Sequence, residues 1–448
     1  MSRPELSTPQ LHRKITLAQA TSINMIDMVG IGPFVVMPFV VSSFGDGLFL
    51  WAWVFGAVAA LTDGMIWSEL GARYPLAGGT YNFHRIAFGE KGGKVMTFLY
   101  VWQTSLYAPL VIASGAIGFT HYLTYLVDLN SLQEKLVSGG LVMVVFLLLY
   151  RRIETIGKIS MVLGTVVILT ILWIIVSGFL NREHGIDVIP SGDKSFLSAA
   201  FWAAVGPGSI KTVYSYLGYY NVCHLGSEIK DPGRNIPRSI FISIIGISIL
   251  YLLMNISVMG VMEIARVRPD DKYLVSSFME HIYGKTAGTV VTVLILFVAM
   301  SSLFAVVLGY SRVPYAAAVD RNFFPIFAKL HPTKNFPYVS LIVLCGVGLI
   351  FSMFMRLDKV ISAILAMRII IQFIGQAVGV VLLRRRFGTG QLPFRMWLYP
   401  IPVILSIIIW IFLFISTGVF AIYGLTISAI GAAIYYIFYG KTITGRRQ

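Results

Sequence analysis

The chain has 448 residues, of which 57% are hydrophobic and only 12% are charged, and its formal net charge is +15. A soluble protein of this length needs far more charge to cover its surface, so the composition excludes the soluble classes and predicts an all-α integral membrane protein. The basic residues are spread over many short loops, which is typical of membrane topology and not of a nucleic-acid surface. We therefore expect the lipid bilayer, and no nucleic acid, as partner; the sequence leaves the oligomeric state open.

Twelve apolar runs are long enough to cross about 30 Å of hydrocarbon. The predicted spans are residues 15–43, 48–72, 95–127, 135–150, 157–180, 199–229, 239–263, 286–318, 338–356, 359–383, 397–416 and 418–439. When the N-terminus is placed in the cytoplasm, the cytoplasmic segments carry well over half of the 35 Lys and Arg residues. The positive-inside rule then predicts a multi-pass protein of the cell (inner) membrane, with both tails, 1–14 and 441–448, in the cytoplasm.

The first span is interrupted by Gly30-Ile31-Gly32-Pro33. A helix in lipid must satisfy its own backbone, and two glycines with a proline remove that option locally. Such a break persists where the freed backbone lines a cavity or binds a ligand, so we predict a half-helix start that binds a small charged solute. The alternative is that the glycines serve close helix packing.

Two acids lie inside predicted spans, Asp27 one turn before this break and Asp63 near the middle of span two. Burying an acid in a membrane is costly, so a function is the default expectation. Asp27 could bind a cationic amine, carry a coupling proton or ligate sodium, or be a protonated acid without a role. For Asp63 the plainer interpretation is a structural partner of a hydroxyl or backbone group.

The sixth span contains a second interruption, where Gly218 follows Tyr214 and Tyr216 and precedes two more tyrosines. Just upstream, Gly206-Pro207-Gly208 is predicted to separate an apolar lead-in from the span proper. Five spans divide the two interruptions, and matching breaks in two halves indicate an inverted-repeat transporter with its binding site between them. An interfacial belt is the alternative for the tyrosines. The predicted organisation is a first repeat at 15–195, a second at 196–385, and two appended helices within 386–440.

Four motifs in chain order carry a family resemblance. They are Gly30-Ile31-Gly32-Pro33-Phe34, the stretch 69–81 (ELGARYPLAGGTY), the stretch 228–238 (EIKDPGRNIPR), and 311–325 with its SRVPYA start. The chain resembles the amino acid–polyamine–organocation transporter superfamily. The resemblance implies the five-plus-five inverted-repeat (LeuT-like) fold, alternating access, and a small organic amine, usually an amino acid, as substrate.

An amino acid needs donors for its carboxylate and acceptors for its ammonium group. Amides of Gly30, Ile31 and Gly32 at a helix N-terminus supply the first, and carbonyls near Asp27 and Tyr214 supply the second. By the family pattern, Tyr214 is an aromatic gate and three residues of span three line the site. The predicted substrate-binding residues are Asp27, Met28, Gly30, Ile31, Gly32, Gln103, Thr104, Tyr107, Tyr214, Ser215, Tyr216 and Gly218.

No cofactor is predicted, and coupling to Na⁺ or H⁺ is left open. Sodium-coupled relatives hold the ion with hydroxyls of the eighth span, so the ion-coupling candidates are Asp27, Ser301 and Ser302. Serine pairs also commonly bond back to their own helix. Arg368, deep in span ten, must face protein or water and could serve an external gate. Glu69, Arg73, Glu228 and Arg312 lie at cytoplasmic helix ends, where they form either an inner gate or ordinary surface pairs.

These observations predict a secondary active transporter, a symporter or exchanger, that moves amino acids by alternating access. The alternative is an uptake carrier for polyamines or other cationic amines that uses Asp27. A channel is disfavoured because ring-like repeats are missing from the sequence. An enzyme is disfavoured because no His/Glu metal pair and no nucleophile with a base is found, and an ATP-driven pump because no Walker A motif occurs.

Overall fold

The computed structural model describes residues 11–189, 195–354, 357–390 and 392–444. Residues 1–10 of the predicted N-terminal tail and 445–448 of the C-terminal tail lie outside the described residues. Over the described ranges the chain is helical, and two isolated β-bridges, Ile15 with Ile229 and Ala77 with Leu225, take the place of any sheet. The all-helical class predicted from composition is confirmed.

Eighteen α-helices follow one another along the described chain. The first nine are α1 Leu17–Met28, α2 Gly32–Phe44, α3 Leu50–Arg73, α4 Thr80–Ala87, α5 Gly89–Leu123, α6 Ser131–Leu149, α7 Ile153–Leu180, α8 Ala199–Tyr216 and α9 Asn221–His224. The second nine are α10 Pro232–Met259, α11 Leu274–Tyr283, α12 Lys285–Tyr310, α13 Arg312–Val319, α14 Tyr338–Phe354, α15 Leu357–Arg368, α16 Gly375–Phe387, α17 Ile401–Ser416 and α18 Val419–Thr444. A π-helical turn, Ile369–Ile374, joins α15 to α16.

By length and composition, eight helical segments of the described chain can cross a membrane, and nine if the bent pair α1 and α2 is one span. Two shorter apolar helices, α14 and α17, accompany them. The chain is therefore a multi-pass membrane protein. The count of twelve spans stays a prediction, since it needs α14, α17, and α8 with the segment after it, as further spans.

The first break lies where it was predicted. Helix α1 ends at Met28, α2 begins at Gly32, and the two axes are bent by 45°. Gly30 is required at this place, because a β-carbon on it would lie 2.6 Å from the Ser302 hydroxyl oxygen. The glycine thus lets the first span unwind against α12.

The second break begins after Tyr216, where Leu217 is extended and Gly218 has a φ of +124°. The upstream separation predicted at Gly206-Pro207-Gly208 is wrong, because α8 runs through Pro207 without interruption. A β-carbon on Gly206 would lie 2.9 Å from the Ser416 hydroxyl, and one on Gly208 would lie 3.2 Å from the Phe44 ring. Those two glycines therefore serve close packing of α8 on its neighbours α17 and α2.

Helix α1 is the central element, packed against α7, α10 and α12. Helix α8 packs between α2 and α3, and α3 packs along α10. This arrangement encloses both breaks inside the bundle, away from the lipid-facing surface.

Candidate binding cavity

The two breaks face each other across a cavity of about 60 Å³. Helices α1, α2, α5, α8, α12 and α15 and the segment after α8 form its walls. The predicted binding residues that line it are Asp27, Met28, Gly30, Ile31, Gly32, Tyr214, Ser215 and Gly218. Both interrupted helices therefore direct their ends into one enclosed space.

The N-terminus of α2 provides the donors on one wall. The first amides of a helix have no acceptor within that helix. At the start of α2 the amides of Ile31, Gly32 and Phe34 are therefore free to donate, whereas Pro33 has no N–H group. The Gly30 amide is engaged, since it donates to the Met28 carbonyl at 3.1 Å. A helix N-terminus carries about half a positive charge, so this wall favours an anionic group.

Tyr214 and Ser215 form the facing wall, close to the first break. The Tyr214 hydroxyl lies 2.9 Å from the Ser114 hydroxyl, which ties α8 to α5. A β-carbon on Gly32 would lie 3.2 Å from the Ser215 hydroxyl and 3.5 Å from the Tyr214 ring. The tyrosine ring therefore closes the cavity directly beside the α2 N-terminus.

Asp27 presents a carboxylate to the cavity and is held by a single amide. Asn221 Nδ2 donates to Asp27 Oδ2 at 2.8 Å and to the Ala305 carbonyl at 2.7 Å, which uses both hydrogens of that nitrogen. The carboxylate thus remains an acceptor at a fixed position. A cationic group in the cavity has a direct partner here.

Arg368 supplies a positive charge to the same cavity. Its guanidinium donates to Gln372 Oε1 at 3.0 Å and to the Tyr220 hydroxyl, and it lies 4.9 Å from the centre of the Tyr107 ring. In the described part of the chain no carboxylate lies within ion-pair distance of it. Neutral acceptors and aromatic faces therefore hold this charge, which leaves its field directed at a bound solute.

One hydroxyl joins the two breaks. Tyr251 Oη, on α10, donates to the Met28 carbonyl at 2.8 Å and lies 3.1 Å from the Ser215 carbonyl. Both carbonyls belong to helix ends that lost their intrahelical partners. Tyr251 therefore fixes the distance between the two interruptions.

Four of the predicted substrate residues lie outside the cavity lining. Gln103 donates to Ser428 on α18, and Thr104 donates to the Tyr100 carbonyl of its own helix. Tyr107 lies one layer behind, where its hydroxyl bonds Gln372 at 3.1 Å. Tyr216 packs its ring edge-on against Tyr251, with centroids 5.2 Å apart. They support the cavity from outside.

The two serine candidates for ion coupling have different surroundings. Ser302 lines the cavity and its hydroxyl donates to the Asp27 carbonyl at 3.3 Å. Ser301 bonds back to the Phe297 carbonyl at 2.7 Å, so its oxygen points along its own helix. A sodium ion at the first break would have the Ser302 hydroxyl and the Asp27 carbonyl as ligands, without the Ser301 hydroxyl.

Two ion pairs between helix ends are buried and lie outside the cavity lining. Glu228 accepts from Arg312 Nε at 2.8 Å and from its Nη2 at 3.2 Å, and both side chains are at most 3% exposed. Glu69 pairs with Arg384, Nε to Oε1 at 2.7 Å, and not with Arg73. These are buried bidentate pairs, so the surface-pair interpretation is wrong for Glu69, Glu228 and Arg312.

Sequence reasoning missed several residues at this site. Tyr220 and Tyr310 line the cavity, Asn221 holds Asp27, and Tyr251 bridges the breaks. Arg368, predicted as a deep charge that faces protein or water, lies in the cavity wall, and its role in an external gate stays a prediction. The one signal in the sequence was the polarity of these residues inside apolar spans.

Comparison with known families agrees with this architecture. The model of the amino acid permease family matches residues 15–440. The chain belongs to that family. It is therefore a transporter and not an enzyme, and the resemblance noted from its four motifs is confirmed.

Its relatives include bacterial, animal and plant proteins. The chain is 26% identical over 404 residues to the serine/threonine exchanger SteT of Bacillus subtilis, which covers 89% of each chain. It is 26% identical to the human cystine/glutamate transporter, over 96% of this chain and 86% of that one. It is 24% identical to the chloroplastic cationic amino acid transporter 7 of Arabidopsis thaliana, over 74% of this chain and 59% of that one.

Proposed function

We propose that this protein is a secondary active transporter, a symporter or exchanger, that moves amino acids across the cell membrane by alternating access. The observation that carries the proposal is the meeting of two helix breaks at one cavity that holds both charge signs. The free amides of α2 bind the solute carboxylate, and Asp27 with the carbonyls of the breaks binds its ammonium group. The relatives described as amino acid transporters and exchangers support the same substrate class.

Arg368 favours amino acids over polyamines. A polyamine carries only positive charges, and it would place one of them beside the guanidinium and the positive end of α2. An amino acid zwitterion has a carboxylate for the positive end of α2 and an ammonium group for Asp27. The cationic-amine alternative built on Asp27 alone therefore loses its support, because Asp27 and Arg368 line the same space.

The proposed architecture is the five-plus-five repeat with two appended helices. Helices α1–α7 form the first repeat within 15–195, α8–α16 the second within 196–385, and α17 and α18 follow within 386–440. The matching breaks at the starts of the two halves support it. The distribution of Lys and Arg supports cytoplasmic termini.

Uptake into proteoliposomes tests the proposal. We expect saturable uptake and counterflow of one or more amino acids, no uptake of putrescine, and at least a tenfold loss of amino acid uptake in Asp27→Asn and in Arg368→Gln. Arg266→Gln, on an exposed side chain, is the matched control and should match the wild type. Putrescine uptake that Asp27→Asn abolishes while amino acid uptake persists would favour the cationic-amine carrier instead. Currents far above carrier turnover would favour a channel.

A further inference from the structure

Asp63 is a buried acid that does not line the cavity. It lies on α3, fully buried, and two neutral donors reach it. The Tyr219 hydroxyl lies 2.5 Å from Oδ2, and Trp410 Nε1 donates to Oδ1 at 3.3 Å. In the described part of the chain no cation lies within ion-pair distance of it. An ionised acid in such a place is costly unless other charges balance it.

Two acids near the breaks, Asp27 and Asp63, share one arginine, Arg368, so one acid has no opposite charge to balance it. Asp27 and Arg368 face the cavity, and Asp63 lies behind the second break. Arginine stays charged, so it balances one ionised carboxylate and not two. Lys211 is outside this set, since it is partly exposed on α8 and its ammonium lies 5.7 Å from the Phe39 ring centre.

The hydrogen-bond partners of Asp63 suit both of its protonation states. At Asp27 the partner is Asn221 Nδ2, which can only donate. At Asp63 the partner of Oδ2 is a tyrosine hydroxyl, which donates to an ionised carboxylate and accepts from a protonated one. Trp410 can only donate, which keeps Oδ1 an acceptor in both states. A proton on Oδ2 of Asp63 therefore has an acceptor in place, the Tyr219 hydroxyl.

Two contacts link this carboxyl group to the cavity. Tyr219 is followed by Tyr220, whose hydroxyl accepts from Arg368. Trp410 stacks on Phe373 with centroids 3.9 Å apart, and Phe373 lies 5.2 Å from the Arg368 guanidinium. A change of charge at Asp63 can thus reach Arg368 through two of the groups that surround it, Tyr220 and Phe373.

The titratable groups that face Asp63 in the described part of the chain are Tyr219 and Cys223, from the segment after the second break, and Arg368. Helix α10 packs on α3 beside it through apolar side chains such as Ile244, and α17 contributes Trp410. Within this set Asp63 is the one carboxylic acid, and burial in a membrane favours its neutral form.

We propose that Asp63 is the proton-coupling residue of this transporter and that it binds and releases the co-transported proton at Oδ2, outside the substrate cavity. The proposal rests on the proposed function and specifies its coupling as proton symport. When Asp63 is protonated, the opposite charges of Asp27 and Arg368 balance each other around the solute. Deprotonation leaves a net negative charge behind the second break, which disfavours the loaded state.

Reconstituted full-length protein, loaded with a pH-sensitive dye, tests this with two readouts. For the wild type we expect amino acid uptake to acidify the lumen and an inward proton gradient to drive accumulation. Asp63→Asn, which mimics the neutral acid, should lose both, at least tenfold, while counterflow at equal pH continues. Substrate-driven acidification that persists in Asp63→Asn overturns the proposal, as does a wild type that exchanges amino acids without moving protons.

A second variant keeps the proposal falsifiable if Asp63→Asn does not fold. Tyr219→Phe removes the hydroxyl that stabilises the ionised acid, so the pH of half-maximal uptake should rise by about one unit. The control is Tyr122→Phe, a buried tyrosine whose hydroxyl has no partner among the described residues. An unshifted Tyr219→Phe profile counts against Asp63. Failure of counterflow in the wild type, for every amino acid, would instead remove the proposed function itself.

Discussion

Gly218 touches the main chain of Asp27, so the two helix breaks are in backbone contact. A β-carbon on Gly218 would stand 2.8 Å from both the carbonyl carbon and the Cγ of Asp27. The φ of Gly218 is +124°, a region that other residues rarely adopt. The distance between the breaks, and with it the width of the cavity, depends on the absence of one methyl group.

Gly218→Ala is therefore expected to open the contact and to impair binding. The backbone strain alone costs on the order of 1–3 kcal/mol, and the clash with Asp27 adds to it. We expect at least a tenfold fall in initial uptake and a reduced thermal shift on adding substrate. Gly346→Ala is the matched control, because a β-carbon there meets nothing within 4 Å. Equal uptake in the two variants would refute the role given to this contact.

Tyr251→Phe tests the hydroxyl that bridges the breaks. Loss of the hydroxyl removes the contact with the Ser215 carbonyl and leaves the Met28 carbonyl with the Gly30 amide alone, and a buried group left unsatisfied costs about 1–3 kcal/mol. We expect a lower apparent melting temperature and a raised KM, measured in detergent and in proteoliposomes. Tyr122→Phe removes a hydroxyl without such a partner and should change neither. A Tyr251→Phe protein as stable and active as this control would contradict the prediction.

The fold was largely accessible from the sequence because its signals are local. Long apolar runs give membrane helices, and Gly30 to Pro33 gives the first break, since these residue types act on their own backbone. The error at Gly206-Pro207-Gly208 shows the limit. Small residues mark either a break or a close helix contact, and only the neighbours of α8 decide between the two.

The cavity was accessible only in part because its side chains meet through tertiary contacts. Asp27 was found from the cost of burying an acid. Asn221 and Tyr251 are ordinary polar residues in the sequence, and their roles depend on atoms 194 and 223 positions away along the chain. Gln103 and Thr104 were predicted from their offset in the family pattern, but Gln103 bonds Ser428 on α18 and Thr104 bonds its own helix.

The buried Glu228–Arg312 pair is expected to make the protein sensitive to the loss of either partner. Removing one partner of a buried bidentate pair leaves an uncompensated charge and costs about 3–5 kcal/mol. We expect Glu228→Gln and Arg312→Met each to lower the apparent melting temperature strongly. The double variant should be more stable than the sum of the two effects implies, because neither charge is then left alone.

The control is a second ion pair of the same type on the surface. Arg266 and Glu263 approach to 2.6 Å with side chains 84% and 45% exposed. Arg266→Met should cost under about 1 kcal/mol, because solvent screens such a pair. If Arg312→Met were no more harmful than Arg266→Met, the buried pair would have no structural importance.

Acid should destabilise the protein through His84, which lies on α4 outside the membrane spans. Its Nε2 lies 2.9 Å from the Ile371 carbonyl, and burial lowers the pKa of the imidazole to about 4. The unfolded chain binds a proton at this residue near pH 6.5, and the folded chain does so only near pH 4, so stability is lost as the pH falls between those values. At pH 5.5 the loss amounts to about 1.4 kcal/mol. In the His84→Gln variant, the apparent melting temperature should therefore fall less between pH 7.5 and pH 5.5 than it does in the wild type. His281→Gln changes a half-exposed side chain and should leave the wild-type pH dependence unchanged. Equal pH dependence in the two variants would show that His84 is not the acid-sensitive group.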